Sequence, residues 1–577
     1  MTMEASTSRL GVALTLFFAL STSGWAQSPP SPPSSAASPP PIVVTEPAPA
    51  ASPPVPPPAD DPLAQAIYAR LQQMTPLDGG PLPPQDAALG KAVTDFYAQR
   101  HYAAAWSDET NVRQLLTGLA SVEGDGLLPE DYRLSQLKAT VEAPDWEGAP
   151  PERRADFEVM ATGAYITALV QLARGKVDPV RLDPTWNFDA AAIDPQEGMT
   201  LLQTSIDERS IDQAFATARP QNPLYAKLRD ALAQLRATAA EGGWPYVPDG
   251  PVLKPGMEDA RVAALRTRLV AGGYLDPTLA EGEHFDNPLA DAVKRFQADQ
   301  YLDADGNVGS ETIAALNVSI QDRIGQVRAN LERARWLLHS LQGTFVVVDI
   351  AGYKVTYYRD GNPVWKSRVQ VGKPYRSTPI FRSQITYITF NPTWTVPPTI
   401  LKNDVLPKIR KNPAYLANNR IRVLDSSGNT LSPSKVNWAN PRGITLRQDA
   451  GPGNSLGRVA IRFPNSFAVY LHDTPHQELF EKAKRDTSSG CIRVERPLEL
   501  VELLFNDEQK WNRQAIDERI ATKKTQNVTL PTAVPILLAY WTVDIADDGK
   551  LAYKPDVYQR DGSLLAALDK PQPLRTP

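Results

Sequence analysis

One cysteine, one imidazole and a glycine-bearing turn lie close together between Tyr470 and Arg493. Cys491 is the only cysteine in 577 residues, and His472 and His476 are two of five histidines. A thiol attacks as the thiolate, so it needs a base or a positive environment beside it. His472 ends Phe467-Ala468-Val469-Tyr470-Leu471, a run of β-formers that would carry an imidazole out on a strand. Ser488-Ser489-Gly490 precedes Cys491, and glycine admits backbone angles closed to other residues. The chemistry expected is nucleophilic: Cys491 attacks, His472 takes its proton, and the amides of Gly490 and Cys491 face an oxyanion.

Two blander readings compete. A single cysteine is most often a small buried hydrophobe. Here, however, Arg485, Asp486, Thr487, Ser488, Ser489 and Arg493 flank it with polarity, where a core cysteine sits in an apolar run. A metal site would use His472, Asp473, His476 and Cys491. Pro475 opposes the helix that a His-x-x-x-His pair needs, and no Glu follows the first His. No metal and no cofactor are expected.

The string from His472 to Ser488-Ser489-Gly490-Cys491-Ile492-Arg493 resembles the active-site signature of the L,D-transpeptidases, cysteine enzymes that cross-link bacterial peptidoglycan. Three more stretches resemble the large periplasmic members: Asn391-Pro392-Thr393-Trp394-Thr395-Val396-Pro397-Pro398, Val371-Gly372-Lys373-Pro374 with Thr378-Pro379, and Tyr470-Leu471-His472-Asp473-Thr474-Pro475. The likeness spans about residues 340–510. One departure is Ser489, where many members carry His.

The elements that must position these residues follow from composition and period. With 577 residues the chain holds about three or four domains. A net charge of −5 and pI near 5.8 give no global signal for nucleic acid. Residues 1–26 read as an export signal or anchor, with an apolar run from Leu10 to Leu20 and Gly24-Trp25-Ala26 at the cleavage position. Residues 27–59 are a Pro/Ala/Ser-rich spacer without core-forming residues.

Residues 60–250 show helical spacing and are expected to be a scaffold, with the Arg174-Gly175-Lys176-Val177-Asp178-Pro179 stretch resembling the scaffold of the same large transpeptidases. Residues 256–319 predict three short helices, with a turn at Asp305-Gly306-Asn307-Val308-Gly309. Phe296-Gln297 and Gly309-x-x-Thr312 there resemble a peptidoglycan-binding module. Residues 320–342 predict a connecting helix. From Thr344 the period changes to strands over 344–350, 353–358, 364–371, 384–390, 459–463 and 467–471, with a helical piece at 403–410 in an insertion over 396–454. An insertion of that size beside a catalytic strand reads as a lid. A short helix begins at Pro497. Residues 511–577 are expected to pack on the body, with strands over 534–543 and 556–558. The fold class is thus multidomain α+β: a helical scaffold, a small three-helix peptidoglycan-binding-like module, and a β-rich, mostly antiparallel catalytic domain over 343–510 with a lid.

The resemblance implies more than the residues alone. It implies a thioester on Cys491, a donor tetrapeptide stem with meso-diaminopimelate at position three, release of D-alanine, an amine acceptor and a 3→3 cross-link. It implies that the backbone carbonyl of Asp473 orients His472. The Asp473 carboxylate, one residue on along a strand, points away from the ring. Trp394, Tyr470, Ser488, Ser489 and Arg493 are expected around the substrate, and carbapenems are expected to acylate Cys491. Expected partners are peptidoglycan stem peptides and other cell-wall synthesis proteins, with no nucleic acid. The expected location is the periplasm, with residues 1–26 as a single membrane tether if uncleaved. Two rivals stay open: an L,D-carboxypeptidase or endopeptidase using the same Cys/His pair, and a non-catalytic wall-binding protein.

Overall fold

The computed structural model describes residues 56–73, 84–183, 186–188, 193–338, 343–546 and 549–571. The expected export signal and nearly all of the expected spacer lie outside them. Among the described residues no helix is long and apolar enough to cross a membrane.

The helical region is arranged around one 24-residue helix, Pro151–Arg174, which opens on Pro151 and stops at Gly175, where φ is 92°. A Cβ on Gly175 would stand 2.5 Å from Trp336 Nε1 and 2.7 Å from Glu332 Oε1, so only glycine allows this approach. Glu332 and Trp336 belong to the connecting helix Ile320–Leu337, and Glu332 Oε1 accepts the Val177 amide at 2.6 Å. Lys176 donates to Asp131 Oδ2 at 2.6 Å and to the Leu568 carbonyl at 2.5 Å. The Arg174–Pro179 stretch therefore ties the scaffold to the connecting helix and the chain's C-terminal part.

Three helices, Arg261–Ala271, Asn287–Asp299 and Ser310–Leu316, form the small module around Val262, Leu265, Leu289, Phe296 and Ile313.

The β-rich domain begins with β1 (Phe345–Asp349), β2 (Lys354–Arg359), β3 (Asn362–Gln370) and β4 (Phe381–Phe390). A lid follows, built on β5 (Trp394–Thr395), β6 (Ile421–Leu424), β7 (Thr430–Leu431) and β8 (Thr445–Gln448). Then come β9 (Val459–Arg462), β10 (Leu471–His472), β11 (Ile492–Val494) and β12 (Gln526–Ala539). The order β1-β12-β4-β9-β10-β11-β3-β2 closes a barrel in which only β1/β12 and β10/β11 pair in parallel. The lid has its own sheet, β5-β8-β6-β7, and its own core around Val405, Ile409, Val423 and Leu446.

Several expectations change. The barrel does not end at residue 510, because β12 fills the gap between β1 and β4 and without it both strands would expose unpaired edges. The strand expected over 467–471 shrinks to Leu471–His472, since Ala468 takes a φ of 56° and breaks the extended run. Residues 556–558 form no strand. The helical piece at 403–410 is a π-helical turn, Leu401–Val405, running into Leu406–Lys411.

Candidate active site

Side chains alternate across a strand, so the register decides which residues share a face. Ile388, Ile461, Leu471 and Ile492 line up across β4, β9, β10 and β11 and are fully buried. Their neighbours along each strand therefore point outward in two rows. Thr389, Ala460, His472, Arg493 and Gln370 make one row. Tyr387 pairs with Arg462 at the start of the other, and the same register continues it through Tyr470 to Cys491. Ile492 donates its amide to the Tyr470 carbonyl at 3.1 Å, which locks Cys491 beside Tyr470 and diagonal to His472. Adjacent strands lie about 4.8 Å apart, so thiol and imidazole emerge as neighbours on one outward face.

His472 is buried, and its Nδ1 lies 2.5 Å from the Asp473 carbonyl. A carbonyl only accepts, so Nδ1 carries the proton and Nε2 is the basic nitrogen. The Asp473 backbone is held in turn. Its amide donates to the Val459 carbonyl at 3.0 Å, and its carboxylate accepts from Arg458 N at 2.9 Å and Nε at 2.7 Å. A Cβ on Gly457 would stand 2.5 Å from Asp473 Cβ, so that loop must be glycine. The carboxylate thus serves Arg458, and the carbonyl serves His472.

Burial, then the Arg493 charge, push the His472 pKa down to about 3 against the pull of the Asp473 hydrogen bond. Burial raises the Cys491 thiol pKa, while Tyr470, Arg462 and Arg493 draw it back. At neutral pH the resting pair is therefore an uncharged thiol beside an uncharged imidazole. An uncharged pair of this kind would react only by moving the thiol proton as the sulfur attacks. Cys491 is half-buried, and its Sγ lies 3.7 Å from the Ala468 carbonyl.

The turn before Cys491 is held from several sides. Gly490 has φ of 115°. Contrary to the expectation that its amide would face an oxyanion, that amide donates to Ser488 Oγ at 3.1 Å. The Cys491 amide makes no hydrogen bond among the described residues and remains for that task. Ser488 is 2% exposed and donates to the Cys491 carbonyl at 2.6 Å, so it shapes the turn and offers a substrate no surface. Ser489 is exposed and accepts from Arg376 Nη1 at 3.0 Å. That same nitrogen lies 2.5 Å from Asp404 Oδ2 in the lid, which links lid and turn. Trp394 packs against the lid core and pairs with Gln448, with no contact to the Cys491–His472 pair among the described hydrogen bonds and ring contacts. Arg493 donates to Gln370 Oε1 at 3.2 Å rather than to a carboxylate.

Sequence reasoning named the Val371–Pro374 and Thr378-Pro379 stretches without giving them a job. Thr378 Oγ1 accepts the Gly372 amide at 2.9 Å and donates to the Gly490 carbonyl at 2.8 Å. A Cβ on Gly372 would fall 2.1 Å from the Arg376 carbonyl oxygen and 3.1 Å from Gly490 Cα. Tyr558 completes the support, its hydroxyl donating to the Gly372 carbonyl at 2.7 Å and accepting the Thr378 amide at 3.0 Å. Sequence reasoning missed Tyr558, Gln370, Arg458 and Arg462. The only signal for Arg462 was a polar residue in the outward phase of a strand.

Three family models match the chain: the L,D-transpeptidase catalytic domain over residues 343–506, a scaffold domain over 91–232, and the "Putative peptidoglycan binding domain" over 258–316. A Haemophilus influenzae protein named "Putative L,D-transpeptidase" is 34% identical over 270 residues, covering 45% of this chain and 54% of that protein. The chain thus spans about half the length of that curated relative. Among solved structures, an L,D-transpeptidase from Xylanimonas cellulosilytica is 15% identical, covers 51% of this chain and 99% of its own, and has a TM-score of 0.17. An L,D-transpeptidase solved in complex with imipenem is 16% identical, covers 34% and 59% respectively, and has a TM-score of 0.16. The chain is similar to the L,D-transpeptidases in its catalytic region, carries regions similar to a scaffold domain and a peptidoglycan-binding domain, and its architecture is multidomain α+β.

Proposed function

We propose that the chain is a peptidoglycan L,D-transpeptidase working in the periplasm through a Cys491 thioester. One observation carries the reading: Cys491 and His472 leave the same barrel face from adjacent strands, with His472 Nδ1 spent on the Asp473 carbonyl and Nε2 left as base. His472 Nε2 takes the Cys491 proton, and the sulfur attacks the carbonyl carbon of the third residue of a tetrapeptide stem. The C–N bond to D-alanine breaks, and the leaving amine departs with the proton held by the imidazolium. A side-chain amine of a second stem then attacks the thioester. Its proton passes to His472, the C–S bond breaks, and a 3→3 cross-link forms. The Cys491 amide supplies one donor to the oxyanion of each tetrahedral stage. The family match of the small module supports peptidoglycan as the polymer engaged.

Mass spectrometry after mixing the protein with meropenem tests the nucleophile. A covalent adduct on the native chain, absent in Cys491→Ala, is expected; an unmodified native chain overturns it. Labelled tetrapeptide stems then separate transferase from hydrolase. Cross-linked dimer supports the transferase, and tripeptide as the sole product replaces it with an L,D-carboxypeptidase.

A further inference from the structure

Two guanidinium groups stand on the outward face beside the thiol, and neither has a carboxylate partner among the described residues. Arg493 is held by the Gln370 amide oxygen. Arg462 lies with its guanidinium 3.8 Å from the centroid of the Tyr470 ring. Tyr470 stands beside Cys491 in the strand register, its carbonyl accepting the Ile492 amide at 3.1 Å. Both arginines are half-buried. A cation withdrawn from water without a counter-ion is costly, and such groups persist where an anion arrives to meet them.

We infer that Arg462 is a positioning residue for the nucleophile: it stacks on the Tyr470 ring, beside Cys491 in the strand register, and supplies positive charge that meets the thiolate as it forms. This rests on reading Cys491 as the nucleophile and goes beyond it by assigning the electrostatic device. The charged and titratable groups facing Cys491 are Arg462 from β9, Tyr470 and His472 from β10 and its approach, and Arg493 from β11. Arg376, held by Asp404, stands at the preceding turn.

Both arginine charges draw the Cys491 thiol pKa down and disfavour a charged His472. Burial, then the neighbouring Cys491, raise the Tyr470 phenol to about 12 with Arg462 opposing, so it stays protonated at neutral pH. Replacing Arg462 would free the ring and remove its charge together.

The test is the pH dependence of iodoacetamide alkylation of Cys491 in the full chain, comparing native protein with Arg462→Ala, Arg462→Gln and Arg462→Lys, with melting curves alongside. Loss of Arg462 is expected to move the apparent thiol pKa up by about one unit and slow alkylation at pH 7 about tenfold. Arg462→Lys is expected to recover most of that shift. An Arg462→Ala profile that superposes on the native one overturns the inference. If the alanine variant does not fold, equal profiles for Gln and Lys overturn it instead. A native Cys491 inert at every pH defeats the nucleophile reading itself, a distinct result.

Discussion

The barrel face and the three-helix module each carry a motif recognisable in the sequence, yet they spend their polar atoms in opposite ways. In the module, Gln297 is 2% exposed and its amide nitrogen donates to Asp305 Oδ1, the Asn307 carbonyl and Thr312 Oγ1. Its Oε1 accepts the Gly306 amide at 2.9 Å. Every polar atom of that side chain is committed to the Asp305–Gly309 turn and the helix that follows it, so the motif marks a fold. On the barrel, His472 keeps Nε2 unspent, Cys491 keeps its amide, and Arg462 and Arg493 keep their charge without a carboxylate. The buried polar groups that a protein leaves uncompensated are where its chemistry lies.

The contrast can be broken most forcefully at His472. His472→Gln is expected to slow carbapenem adduct formation by about 10²–10⁴-fold, the usual worth of a general base, read by stopped-flow or mass spectrometry. A loss under threefold would remove His472 from the mechanism. The same variant sharpens a pH prediction. His472 is held neutral down to about pH 3 when folded, whereas the unfolded imidazole titrates near its ordinary 6.5. Below that pH the unfolded chain binds the extra proton, so stability falls as pH falls, by about 2 kcal/mol between pH 7 and 5 from this group. Urea unfolding at both pH values should show that slope reduced by His472→Gln.

A middle-sized effect is expected in the module. Gln297→Ala removes three hydrogen bonds to the Asp305–Gly309 turn and one to Thr312 and should cost about 2–4 kcal/mol of stability, while Cys491 alkylation by iodoacetamide stays unchanged. A changed alkylation rate would mean that module and barrel face are not independent. Smallest is Tyr558→Phe, which removes a hydroxyl bridging Gly372 and Thr378. It should cost about 1–2 kcal/mol and lower the adduct rate severalfold, because the support of the nucleophile turn loosens. An unaltered rate would show that Thr378 alone holds the turn.

How much was legible follows distance along the chain. His472, Cys491, Gly490 and the Asp473 carbonyl sit within a stretch whose chemistry is local, and strand alternation was enough to place the Asp473 carboxylate away from the ring. The period of the apolar residues likewise located the three helices of the module and the barrel strands β1 to β4 and β9, but not β11. Ser488 misled because a residue inside a recognisable motif can serve its packing: it belongs to the inside of the turn. The boundary at 510 failed for a related reason. β12 packs Ile536, Leu537 and Leu538 into the barrel core, but its opening residues, Gln526-Asn527-Val528-Thr529, alternate weakly against water and lie far along the chain from the strands they pair with.

What the sequence by itself determined is the identity of the reacting groups, since a thiol, an imidazole and a glycine turn carry their chemistry wherever they are placed. The tertiary structure alone decided which charges and hydroxyls surround them. Gln370, Arg462 and Tyr558 are ordinary polar residues along the chain; they gain a role only when strand register and barrel closure bring them to Cys491. Contacts between residues far apart in the chain exist only once packing has met the entropy of holding them there.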